Sequence, residues 1–352
     1  MSLTFLSVSE RKKKLETQIR KRIDWLDIAK GIAIICTIIG HSFGKNRIGV
    51  FIFSFHMPIF FILSGYTLKK IQFSEFTKAI FKDFKRLIIP VFVVFTIDFM
   101  LQILFFNKAP FSLLKSDVKK IIWGTCNRGV GRLWFLVALF YSKFFFRIVL
   151  NTIPKYREIF LLIGTYIFSV PGLKIELPQN FDLIFVAMLF MDAGYILRNS
   201  VDENSPEIEK FGILCFFVWI YLVWNQKVYT DLAQRLYPPL AIVAALCGSL
   251  CVIQLSKLFE CSKFITKIIG FLGKWSLDLL CIHQLDVYWR KYLNYFSFQE
   301  NIKLAKLNPY IHCCVNLLLN IFILLAWVGI RYLVMKIYKS STNALTKGSV
   351  TE

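Results

Sequence analysis

The chain has 352 residues, 56% of them hydrophobic, only 18% charged, and 36 of them Phe. That balance excludes an ordinary soluble domain and points to long apolar runs crossing a bilayer. The formal net charge is +21, yet Lys and Arg collect in the connecting segments, a placement that speaks for membrane topology and anionic head groups rather than nucleic acid. A polyphosphate ligand is a second, compatible reason for a basic surface.

At ~20 apolar residues per span, the length suits a single bundle of about ten transmembrane helices. The expected fold is all-α and integral to the membrane, with no stretch left for a sizeable soluble domain. Residues 1–25 are polar and basic, with Arg11, Lys12, Lys13, Lys14, Arg20, Lys21 and Arg22 ahead of the first span. By the positive-inside rule this N-terminal segment is cytoplasmic. It lacks an early apolar core with a cleavage site, so a cleaved signal peptide is not expected. Spans are predicted near 26–44, 50–68, 86–106, 132–150, 158–172, 181–197, 211–225, 238–258, 265–286 and 313–337. The transmembrane domain then covers 26–338, and 339–352 forms a cytoplasmic tail. The protein is expected in the cell membrane as a multi-pass protein with both termini inside. Lys336, Lys339 and Lys347 agree, as does the basic connection from Lys69 to Arg86. The basic segment 107–131 falls outside and the acidic 202–209 inside, against the trend. Pro58 lies within the second span and predicts a kink or broken helix. None of the nine Cys forms a C-x-x-C pair; they read as small membrane-compatible residues rather than disulfides or metal ligands.

The first two spans carry polar residues that hydrocarbon rejects, and such residues mark function when they face a bundle interior. Lys30 and His41 are eleven residues apart. On a helix that is close to three whole turns, so both project from one face, separated by ~16 Å along the axis. Asp27 precedes Lys30 by one turn on the same face and can pair with it. The plainer alternative is a snorkelling Lys and a packed His. His56 lies just beyond a short turn from His41, so the two imidazoles are expected close together. A neutral imidazole is a general base near neutral pH; a two-His metal site is disfavoured, because no carboxylate has ligand spacing. Ser64, Gly65 and Tyr66 form a corner that serves either close helix contact or presentation of a hydroxyl. Lys82, Lys85 and Arg86 precede Leu87-Ile88-Ile89-Pro90; they either fix topology or hold a phosphate-rich ligand. Trp134 reads most simply as an interface aromatic. Asp278 and His283 share one predicted span.

The string D-x-A-K-G-I-x10-G-H-S-F from Asp27 to Phe43 resembles the opening of the membrane-bound acyltransferase 3 family, with Lys30 and His41 in the places of its basic residue and His. SFHMPIFFILSGY (54–66), KRLIIP (85–90), LWFL (133–136) and the block from Gly270 to His283 resemble later family blocks, in family order, so the likeness runs from about 22 to 335. It looks nearest to the stand-alone sugar O-acetyltransferases of the fucose-acetylase type. The resemblance implies a ten-helix enzyme moving an acyl group, most often acetyl from acetyl-CoA, to a hydroxyl of a capsule, O-antigen or other surface polysaccharide, or of a lipid-linked sugar, without a metal. Acetyl-CoA phosphates would bind Arg86, Lys82 and Lys85, with the pantetheine arm beside Lys30. His41 would act as base or take the acetyl transiently, and Asp27 would orient Lys30. His56, Ser64, Tyr66, Trp134 and His283 would serve the substrate side or the oxyanion. One departure stands out: where many members carry Arg-x-x-Arg, Arg86 matches the second place but Asp83 occupies the first. Two alternatives share the composition: a flippase of lipid-linked saccharides, for which the Lys30–His41 block has no stated use, and a sensor module that keeps the fold without chemistry.

Overall fold

The structure is a computed structural model. It describes residues 24–44, 46–106, 109–124, 131–169, 177–200, 206–286, 288–289 and 309–348. The described residues are almost wholly helical, with no sheet beyond an isolated bridge between Asp231 and Leu236.

Helix α1 (Asp24–Phe43) carries Asp24 and Asp27 in its first turn and His41 in its last. Acidic groups at the N-terminus complement the helix dipole. Helices α2 (Arg47–Phe53) and α3 (Pro58–Thr67) together make up the second expected span, which runs from Arg47 to Thr67. The expected break at Pro58 is present, and Pro58 opens α3, where its missing N–H removes no helical bond. Asn46 caps α2 by accepting from the Gly49 N–H at 2.9 Å.

Helix α4 (Phe76–Asp83) runs through a π-helical turn (Phe84–Ile88) into α5 (Ile89–Phe106). The basic segment expected as an outer connection instead contains α6 (Pro110–Trp123). Its Phe111, Leu114, Val118 and Ile122 recur at helical spacing and are exposed, while Leu113 and Asp117 are buried. An exposed apolar stripe beside Lys115 and Lys119 fits a helix lying along a membrane surface. A short 3₁₀ turn (Gly131–Leu133) leads into α7 (Trp134–Thr152), followed by α8 (Arg157–Ser169). Helix α9 (Ile184–Ser200) follows a 3₁₀ turn, α10 (Pro206–Ile220) ends in another π-helical turn, and α11 (Pro239–Phe259) follows. The last elements are α12 (Lys263–Lys274), α13 (Ser276–Gln284) and α14 (Pro309–Gly348).

Eight of the described helical segments are long and apolar enough to cross a membrane. The other two expected spans differ. Helix α8 shows 13 described residues, and the end of the expected 158–172 span lies outside the described residues. The 265–286 span is divided at Trp275, whose backbone leaves the helical region. Large apolar side chains of α5, α10 and α14, among them Val93, Leu104, Phe217, Leu318 and Phe322, are exposed. Hydrocarbon is the solvent that makes such a surface stable, so the chain is a multi-pass, all-α membrane protein.

Helix α1 lies at the centre, packed by α2, α3, α11, α12, α13 and α14. Two crossings there depend on glycine. A Cβ on Gly273 of α12 would meet Asp27 O at 1.7 Å, and one on Gly31 of α1 would meet Ile269 O at 2.2 Å. Helix α3 meets α9 in the same reciprocal way, with Gly65 against Met191 O and Gly194 against Ile62 O. Backbones approach this closely in membranes only where side chains are absent. Gly65 therefore serves the close helix contact raised for the Ser64–Tyr66 corner.

Candidate functional site

Two adjoining cavities follow the inner face of α1. A cleft of about 950 Å³ is lined by Lys30, Ser64, Arg86 and Lys143 among apolar side chains of α1, α3, α7 and α13. A smaller cavity of about 430 Å³ is lined by His41, His56, Arg132, Trp134, Thr230 and Asp231. Thr37, Met57 and Leu280 line both, so these side chains stand between the two at mid-helix. One end of the path is cationic and the other holds imidazoles.

The helical geometry of α1 explains the polarity. Lys30 faces the cleft and pairs with Asp27, Nζ to Oδ1 at 3.7 Å. Three turns later His41 faces the cavity, ~16 Å further along the axis. His41 is exposed, whereas His56 and His283 are buried. The His41 and His283 ring centres lie 5.3 Å apart, and Phe53 stands between His41 and His56, 6.0 and 5.1 Å from their rings.

The break between α2 and α3 positions His56. Its Nδ1 lies 3.1 Å from Ile52 O, which also accepts from the Phe55 and His56 backbone N–H groups where the helix stops. Bonded so, Nδ1 carries the proton and Nε2 is the acceptor nitrogen. The break is held in turn by Ser54, which accepts from Trp219 Nε1 at 2.8 Å and donates to Phe51 O at 2.7 Å.

On the opposite wall, the carboxylate of Asp286 organises two groups. One oxygen accepts from Arg132 Nη1 at 2.7 Å, and the other lies 2.9 Å from His283 Nδ1. Arg132 also donates to His283 O through Nη1 and to Gln284 Oε1 through its backbone N–H at 2.7 Å. Asn316 adds a bond to Asp286 at 3.3 Å. Gly131 makes this turn possible: its φ of +59° is left-handed, and a Cβ there would meet Gln284 Nε2 at 2.5 Å. The guanidinium is thereby fixed at the cavity wall before any ligand arrives.

A short loop closes the remaining side. Thr230 donates to Ala241 O at 2.7 Å, Asp231 accepts from the Gln234 N–H, and Arg235 pairs with Asp182 at 2.5 Å. These bonds hold Thr230, Asp231, Leu232 and Ala233 against the imidazoles.

The predicted site residues divide accordingly. Lys30, Ser64 and Arg86 line the cleft; His41, His56 and Trp134 line the cavity; and the His283 ring lies tilted against that of His41. Asp27 is buried beside Lys30. Lys82 and Lys85 are exposed outside the cleft, with Lys85 Nζ over the Phe81 ring at 4.4 Å. Tyr66 is buried at the far end of α3 from His56, edge-on to Trp25 at 5.1 Å, and lines neither cavity. Asp278 faces α14, accepting from Trp327 Nε1 at 3.0 Å and Arg331 at 3.2 Å.

Sequence reasoning passed over Arg132, Asp286, Thr230, Asp231 and Lys143. Lys143 and Asp286 both fall inside predicted spans, so the rule that flagged Lys30 applies to them as well. Arg132 opens the predicted 132–150 span and reads as its flank, and the 230–233 loop carries no such signal. Among the described residues no group of three His, Cys, Asp or Glu is placed to hold a metal ion.

No curated protein matches the chain, and no solved structure does. The family model of the acyltransferase domain, acyltransferase 3, matches residues 23–333. A match over most of the chain, on a membrane-embedded path ending in an accessible imidazole, means that this protein belongs to the acyltransferase 3 family.

Proposed function

We propose that the protein is an O-acetyltransferase that moves acetyl from acetyl-CoA to a hydroxyl of a cell-surface or lipid-linked saccharide. The observation that carries this reading is the pair of adjoining cavities along α1, one lined by Lys30 and Arg86 and the other by His41. Cations suit the phosphates of the donor, and the narrow apolar stretch suits its pantetheine arm. The ~16 Å between Lys30 and His41 is then spanned by that arm, which brings the thioester to the imidazoles.

The proposed chemistry balances as follows. His41 accepts the proton of the acceptor hydroxyl as its oxygen attacks the thioester carbonyl carbon. The carbonyl oxygen becomes an oxyanion, and Arg132, fixed by Asp286, supplies positive charge to it. The C–S bond breaks as the carbonyl re-forms, and the proton on His41 passes to the departing thiolate. His283, packed against His41 and held by Asp286, fixes the orientation of the base. Trp134 and the 230–233 loop offer an aromatic face and a carboxylate to a saccharide. By the positive-inside rule the cationic end faces the cytoplasm and the imidazole end faces outward.

The test uses membranes containing the full chain and acetyl-CoA labelled in the acetyl group. Label should pass to a surface glycan with wild type and not with His41→Ala at equal membrane content. Equal transfer by both would sink the proposal.

A further inference from the structure

Helices α1 and α7 line the path together, and their polar residues match in spacing. On α1 the order is Lys30, then His41 eleven residues later. On the α7 strip it is Arg132, then Lys143, also eleven residues later. Lys30 and Lys143 both line the cleft, and His41 and Arg132 both line the cavity. The two elements therefore run in opposite directions past the same path, each with a cation at the wide end. Leu136, Leu139 and Lys143 recur at helical spacing and all face the cleft, so the place of Lys143 follows from the face that α7 buries.

A carboxylate fixes that cation. Asp83, at the end of α4, is buried and accepts from Lys143 Nζ on Oδ1 and from Arg147 Nη2 on Oδ2, each at 2.5 Å. Lys143 and Arg147 are one turn apart, so a single carboxylate holds both. One negative charge against two positive ones leaves the cluster cationic. Arg86, three residues after Asp83, lines the same cleft. An acidic residue at position 83 thus adds positive charge to the cleft indirectly, by delivering Lys143 from a neighbouring helix. Lys82 and Lys85, nearer in sequence, are exposed outside it.

We infer that Lys143 is a phosphate-binding residue that, with Lys30 and Arg86, selects a thioester donor carrying a phosphorylated nucleotide end, and that Asp83 is its positioning residue. This rests on the acetyl-CoA reading above and adds the residue that reads the phosphates. Three donors converging from α1, the π-helical turn and α7 suit a multiply charged phosphate group better than a single anion. The apolar walls of the cleft beside them accept the uncharged arm.

The experiment measures equilibrium binding of labelled coenzyme A to the purified full chain, with pantetheine as the competitor that lacks every phosphate. Wild type should bind coenzyme A far more tightly than pantetheine. Lys143→Gln should weaken coenzyme A at least tenfold and leave pantetheine unchanged, and Lys143→Arg should restore most of the loss. An unchanged coenzyme A affinity in Lys143→Gln, or equal weakening of both ligands as a merely structural ion pair would give, overturns the inference and leaves the acyltransfer reading standing. Wild type that binds no coenzyme A overturns both. Should Lys143→Gln fail to insert, labelling of Lys143 in wild type by an amine-reactive reagent decides the matter: coenzyme A should protect it and pantetheine should not, and equal labelling with either refutes the assignment.

Discussion

The imidazoles of His41 and His283 lie with ring centres 5.3 Å apart and planes tilted by 39°. One is exposed in the cavity and the other is fully buried behind it. An accessible ring backed by an inaccessible one suits a base and its support. Replacing His283 by Gln should lower turnover with little change in the apparent affinity for acetyl-CoA, because the cations that hold the donor are at the other end of the path. Initial rates over a range of acetyl-CoA concentrations check this; a raised KM with an unchanged kcat would place His283 with the cations proposed to bind the donor instead.

Asp286 ties Arg132 to His283, so its neutralisation should act on both. In Asp286→Asn, Arg132 loses its charged partner and the carboxylate beside His283 disappears. Breaking a buried ion pair by removing one member costs roughly 3–5 kcal/mol, and the melting temperature of the purified protein should fall clearly. Arg132→Gln should instead act mainly on kcat, by about 10²–10³-fold if the guanidinium stabilises the oxyanion. An Arg132→Gln variant with wild-type kcat would remove Arg132 from the chemistry.

The helix crossings at glycine set limits on substitution. Gly273→Val and Gly65→Val place side-chain atoms where backbone oxygens already lie, 1.7 and 1.8 Å from the first added carbon. Both should lose folded protein, since helices forced apart lose their packing along the whole crossing. Gly329→Val, with nothing within 4 Å of its added carbon, should insert normally. Size-exclusion profiles of the three variants in detergent separate these outcomes.

Ser54 supports His56 at a distance. Ser54→Ala leaves the buried Trp219 Nε1 without its acceptor, at a cost of about 1–3 kcal/mol. Thermal stability should drop by that order, and turnover should drop further if the break between α2 and α3 moves with it. A stable variant with full activity would show that the break is held by Pro58 and the surrounding packing alone.

The sequence made the first half of the site legible because its signals are local. Lys30 and His41 lie on one helix, where spacing alone fixes a shared face, and Pro58 announces its own break. The acyltransferase 3 likeness was likewise carried by short contiguous blocks, and its span agrees with the 23–333 match. What stayed hidden depends on pairs distant in the chain. Arg132 meets Asp286 across more than 150 residues, and Lys143 meets Asp83 across 60. No periodicity links such partners. Asp83 is the clearest case: read along the chain it is a missing cation, and read in space it anchors one. The division of the 265–286 span was hidden for another reason, since no proline marks the junction at Trp275 and hydropathy does not register a backbone break.

The most direct test of the whole account is transfer of acetyl-labelled acetyl-CoA in membranes containing wild type, His41→Ala or Lys143→Gln at matched protein levels. Wild type should label a surface saccharide at a hydroxyl. His41→Ala should fall by about 10²–10⁴-fold at every donor concentration, the range for loss of a general base, whereas Lys143→Gln should recover as donor concentration rises. Transfer by His41→Ala at the wild-type rate would contradict the account.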